Sequence, residues 1–89
     1  MLIDENLPPI YGCVQAGHAV AQFLLENKNQ TWNNQYLIYL KADLNRWISK
    51  LDFLGKQYTV FNEPDLDMRP TAIAIQEYSK LFDKLKLIG

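Results

Sequence analysis

The apolar positions of this chain repeat with two different periods. MLI at the start is a three-residue β-prone run that stops at DENLPP, where paired prolines remove backbone donors and turn the chain. From Gly12 to Glu26, Val14, His18, Ala21 and Leu25 share one helical stripe, with Val20, Phe23 and Leu24 nearby. Polar residues other than Gln15 and Gln22 are nearly absent, which predicts a helix buried on much of its circumference. Ala16, Gly17 and Ala19 leave room for another backbone to approach, although Gly17 costs such a helix about 1 kcal/mol relative to alanine.

The amide-rich stretch from Asn27 to Gln35 is a loop whose Trp32 either caps the core or faces a partner. YLIYL, Tyr36 to Leu40, is continuous and apolar and predicts a buried strand. Asp43 is placed to N-cap a second helix on which Leu44, Trp47, Ile48, Leu51 and Leu54 share a face. Gly55 supplies a left-handed stop. QYTVF (57–61) and TAIAI (71–75) predict two more strands around the polar turn NEPDLDMRP, and Tyr78, Leu81, Phe82 and Leu85 give the tail from Glu77 to Leu87 a helical spacing. This alternation predicts one α/β domain over residues 1–89, a small mixed four-stranded sheet covered by helices.

Composition narrows the function classes. Nine Lys and Arg against ten Asp and Glu leave the chain near neutral, without the global electrostatic footprint of a strong nucleic-acid binder. The single cysteine, Cys13, has no partner for a bridge and favours a reducing, cytoplasmic setting. The acidic start of the chain does not resemble a secretory leader, and no stretch approaches the length of a membrane span.

Ligands of α/β sheets favour loops at strand ends, here the Pro-rich approach to the first helix and the loop NEPDLDMRPT. Glu63, Asp65 and Asp67 crowd three carboxylates into five residues, with Arg69 and Thr71 behind them. Crowded carboxylates raise one another's pKa and suit a base, but the same residues also suit a turn held by its own side chains. His18 has no second histidine at helical spacing, so a metal site is not expected, and no nucleophile or phosphate-loop motif is present. A lone histidine on such a helix either packs with a satisfied nitrogen or serves a site.

VQAGHA, Val14 to Ala19, opening a helix behind a short N-terminal strand, resembles the AQ-x-x-HA signature of the archaeal and eukaryotic class of peptidyl-tRNA hydrolases. The order of elements is similar over nearly the whole chain, including an aspartate four residues ahead of a threonine before the last core strand, here Asp67 and Thr71. The resemblance implies hydrolysis of the ester joining a peptide to the terminal ribose of tRNA, with no required metal or other cofactor. It implies that Gln15 and His18 line the site, that Asp67 orients groups or water, and that Thr71 binds or polarises the ester. Asp65 is the alternative acid. Arg69 and Tyr11 are expected to contact substrate, Tyr11 standing where the family carries a lysine, and a homodimer is expected.

Overall fold

The computed structural model describes residues 1–34, 36–76 and 80–88. Strand β1 (Leu2–Asp4) leads through a turn at residues 5–7, closed by the Leu7 N–H donating to the Asp4 carbonyl, into helix α1 (Pro9–Glu26), with proline in its first turn, where a missing N–H costs nothing. Strand β2 (Leu40–Ala42), helix α2 (Leu44–Phe53), strand β3 (Thr59–Glu63) and strand β4 (Arg69–Ala74) follow. The sheet order is β2-β1-β4-β3, with β1 parallel to β2 and antiparallel to β4, and β3 antiparallel to β4. The predicted mixed four-stranded α/β sheet is therefore present, flanked by two helices.

Asp43 caps α2 as expected, its carboxylate accepting from the Arg46 N–H, and Gly55 ends that helix at φ +68°. Leu44, Trp47 and Leu51 of α2 pack with Leu2, Ala42 and Ile73 to form the core on one side of the sheet. On the other side the contacts are small: Ala19 of α1 against Ala72 and Ala74, with Phe23 and Phe61 around them. A Cβ placed on Gly12 would lie 2.9 Å from Ile3 Cγ2, so a glycine is what lets α1 sit this close to β1.

Three expectations change. YLIYL is not the second strand: β2 begins at Leu40, while Tyr36, Leu37 and Ile38 are exposed. β1 pairs with β2 from Leu2↔Leu40 to Asp4↔Ala42, so of YLIYL only Leu40 falls within the ladder. The tail is not a helix in its described part: Lys80–Phe82 is a single 3₁₀ turn, and Leu87 then bridges antiparallel to Leu40. Lys41 N–H donates to the Lys86 carbonyl and Ile88 N–H to that of Tyr39, so the tail covers an edge of β2 that would otherwise be open. Leu81, Phe82 and Leu85 still pack on the α2 core; Glu77, Tyr78 and Ser79 of the predicted helix lie outside the described residues. Finally, the stripe of α1 carrying Val14, His18, Ala21 and Leu25 faces outward, and the buried residues are Gly12, Gln15, Ala16 and Ala19.

The polar turn is also shorter than its composition predicts. β3 and β4 continue as a hairpin to Glu63 and Arg69, leaving a 3₁₀ turn at Pro64–Leu66 and two left-handed residues, Asp67 (φ 54°) and Met68 (φ 61°), to reverse the chain. Asp accepts that conformation more readily than most side chains.

Candidate functional site

Phe61 pairs with Ala72 and Asn62 with Pro70, so Thr71 has no partner of its own on β3 and is the extra residue of a β-bulge. In a regular strand Thr71 and Ala72 would point to opposite faces. At the bulge both reach the α1 side: Ala72 packs with Ala19, and the Thr71 hydroxyl donates to Gln15 Oε1 at 2.6 Å. Thr71 is 0 % exposed and Gln15 2 %, and the Phe61 carbonyl lies 3.4 Å from the same hydroxyl. The proline beside the bulge fits there because its absent N–H breaks no regular pairing.

Tyr11, Gln15 and His18 follow at four- and three-residue steps and form one stripe of α1 that runs along edge strand β3. Gln22 and Glu26 continue it, Gln22 donating to the Val60 carbonyl and Glu26 accepting from the Thr59 hydroxyl. His18 is exposed and lies flat on Phe61, with ring centroids 4.8 Å apart and planes 14° from parallel. Among the described residues no hydrogen bond ties either of its ring nitrogens. Partial burial, and then the nearby Glu63 and Asp65 carboxylates, push the Tyr11 phenol above its ordinary range, so this position is neutral at pH 7 and brings no positive charge.

The sequence-predicted residues thus divide into two groups. Gln15 and Thr71 meet directly, and His18 and Tyr11 lie on the same helix stripe. Asp67 is exposed at the hairpin tip, and the Thr71 hydroxyl is bonded to Gln15 rather than to it. Asp65 is also exposed; its N–H donates to Glu63 Oε1, so the carboxylate that holds the turn is that of Glu63. Arg69 reaches across to Asp4 in an ion pair, and Asp4 also accepts from the Asn6 N–H. Two residues of this region were missed by reading the sequence: Phe61 and Asp4. Phe61 looked like one more strand residue, and Asp4 gave no signal because its partner lies 65 positions away.

No family model, curated protein or solved structure matches the chain significantly. Its chemistry therefore rests on the residues themselves. Among the described residues, no group of three or more His, Cys, Asp and Glu side chains is placed to hold a metal ion, and no helix is long and apolar enough to cross a membrane. An apolar cavity of about 260 Å³, lined by Val20, Phe23, Trp32, Ile38 and Ala74 among others, lies toward the other end of β4 from Arg69. Trp32 is a wall of it, with its indole N–H donating to the Tyr36 carbonyl.

Proposed function

We propose that the chain is a peptidyl-tRNA hydrolase-like protein, of the fold typical of the archaeal and eukaryotic class, acting in the cytoplasm on the ester of peptidyl-tRNA or a related aminoacyl ester. The observation that carries this reading is the buried Thr71–Gln15 hydrogen bond. It joins, from 56 positions apart, two of the residues on which the resemblance rests. A bulge that turns one hydroxyl toward a helix is a device found beside active sites.

In the reaction a water oxygen bonds to the ester carbonyl carbon, the bond to the ribose oxygen breaks, and that oxygen leaves as a hydroxyl carrying a proton. Such a step needs an oriented water, a proton acceptor and a donor toward the developing oxyanion. Thr71 is internal, so on this reading it is a positioning residue that fixes the Gln15 amide. The groups left to orient water or accept its proton are those that reach solvent: His18, whose ring face is held by Phe61, and the hairpin acid, Asp67 or Asp65. Arg69 contacts substrate and is itself held by Asp4.

A second reading, a binding module on the same fold without turnover, is favoured by one observation: Tyr11, in the place of the family lysine, is neutral and lies beside Glu63 and Asp65. One experiment separates the two. Release of tRNA from an N-blocked aminoacyl-tRNA is followed with chelator present, for the wild type and for Thr71→Ala, Asp67→Asn and His18→Ala. The enzyme reading expects turnover that falls by about 10²-fold or more in at least one variant that still folds. A folded wild type that binds tRNA without cleaving it replaces this reading with the second; one that neither binds nor cleaves overturns both.

A further inference from the structure

The connection from Asn27 to Tyr39, between α1 and β2, holds no helix or strand among its described residues. In a small domain such a connection of about a dozen residues is uncommon unless it serves a site. Its hydrogen bonds nevertheless hold it in shape around Trp32. The Trp32 backbone N–H donates to the Gln30 side-chain oxygen and the indole N–H to the Tyr36 carbonyl at 2.8 Å. The neighbouring Thr31 hydroxyl accepts from the Gln76 amide, just beyond β4, at 3.2 Å. The indole is thereby pinned as a wall of the apolar cavity and does not fill it.

The space exists because of what lies beneath it. Ala74, buried in β4, is the floor, and so small a side chain leaves open the volume that Phe23 of α1 and Trp32 of the connection border. Among the described residues these two rings do not stack on each other. Val20 and Ile38 complete the apolar lining, and no Asp, Glu, Lys, Arg or His is among the residues that line it. The polar groups on its walls are spent within the chain: the indole N–H on Tyr36, the Gln76 amide on Thr31, and the Met1 nitrogen on the Ile38 carbonyl at 2.8 Å. A charged ligand would lose its hydration with no side chain there to replace it. Size sets the other limit. A dry apolar cavity of roughly 150 Å³ holds one benzene ring, so about 260 Å³ has room for two fused rings.

We propose that this cavity is a binding site for a small, flat, uncharged aromatic molecule of two fused rings, resting on Ala74 with the Phe23 and Trp32 rings against it. Aromatic walls favour an aromatic guest, since ring pairs gain attraction beyond the area they bury. Exposed Tyr36 and Leu37 stand at the rim, so a ligand enters without displacing a strand. The cavity shares no residue with the stripe of Tyr11, Gln15 and His18, so this site does not depend on the ester chemistry proposed above.

Indole, titrated into the isotope-labelled full chain and followed by NMR, is the test. It is expected to saturate with a Kd of about 0.1–1 mM. The methyl signals of Val20, Ile38 and Ala74 and the Trp32 indole N–H should shift, while the methyls of Leu51, buried on the opposite side of the sheet, stay in place. Trp32→Ala, a change in the connection that leaves both cores intact, should weaken binding about tenfold or more, and Val20→Phe, which fills the cavity from the half-buried flank of α1, should do the same. Phe53→Ala, which removes an exposed ring on α2, should leave it unchanged. Indoleacetate, which is charged, and cyclohexylmethanol, which is apolar but not flat, should each bind about tenfold more weakly or worse. Indole that fails to saturate, as it would if another protein's side chain were the natural occupant, overturns the proposal. So does a folded Trp32→Ala chain that binds indole like the wild type, or equal affinity for either analogue.

Discussion

Two glycines on one helix are expected to respond in opposite ways to the same substitution. At Gly17 an added methyl group meets nothing, so Gly17→Ala gains only the helix preference of alanine over glycine, about 0.5–1 kcal/mol for the monomer. At Gly12 the same preference is opposed by a Cβ 2.9 Å from Ile3 Cγ2, and Ile3 is 0 % exposed and β-branched, so it has no alternative rotamer to retreat into. Overpacking of this kind costs about 1–3 kcal/mol, which leaves Gly12→Ala about 0–2 kcal/mol less stable than the wild type. The two variants should therefore differ by about 1–3 kcal/mol, or roughly 5–20 °C in Tm for a domain of this size. Urea and thermal denaturation followed by circular dichroism measure this, in solutions dilute enough that association adds nothing. If Gly12→Ala proves as stable as Gly17→Ala, the close approach of α1 to β1 does not depend on the missing side chain, and the packing argument fails.

Other expectations concern single bonds. Thr71→Val removes the donor from a buried amide oxygen and should cost about 1–3 kcal/mol, partly recovered when Gln15→Leu is added; a double-mutant cycle in urea showing no coupling between the two would refute the pairing. Asp43→Ala should cost about 1 kcal/mol through loss of the α2 cap, and Asp43→Asn much less, by the same measurement. The Tyr58 phenol donates to the Asp52 carboxylate, and this bond, with burial and the carboxylate charge behind it, raises its pKa in the folded state. Its contribution is therefore complete below about pH 10 and is lost as pH rises through the folded-state value, so stability should fall more steeply on the alkaline side in the wild type than in Tyr58→Phe. Parallel alkaline profiles would show that the bond contributes nothing.

Much of this fold was legible because local rules and tertiary packing agree. The cap at Asp43, the stop at Gly55 and the face of α2 carried by Leu44, Trp47 and Leu51 all follow from sequence spacing. Helix α1 misled for a physical reason: it is apolar or small nearly all round, so periodicity has no contrast with which to choose the buried face. Sheet contact was decided instead by steric size, at Gly12, Ala16 and Ala19. YLIYL has the composition of a strand, but pairing is a matter of register between distant segments, and β1 pairs with the chain only from Leu40 to Ala42, which nothing in the local sequence reveals. In the site, Gln15 and Thr71 could be named from the resemblance. Their direct bond depends on the bulge, and a bulge leaves no mark in sequence because it is a matter of register between two strands.

That bulge also bears on how this chain can change over generations. Asn62 pairs with Pro70 and Phe61 with Ala72, so a chain lacking Thr71 would bring Pro70 next to Ala72 in a ladder with every rung filled and the same residues still facing α1 and α2. Loss or gain of one codon would thus remove or install the hydroxyl under Gln15 while leaving the surrounding architecture in register. A lineage carrying this hairpin can acquire or abandon whatever the Thr71–Gln15 pair serves in one mutational step.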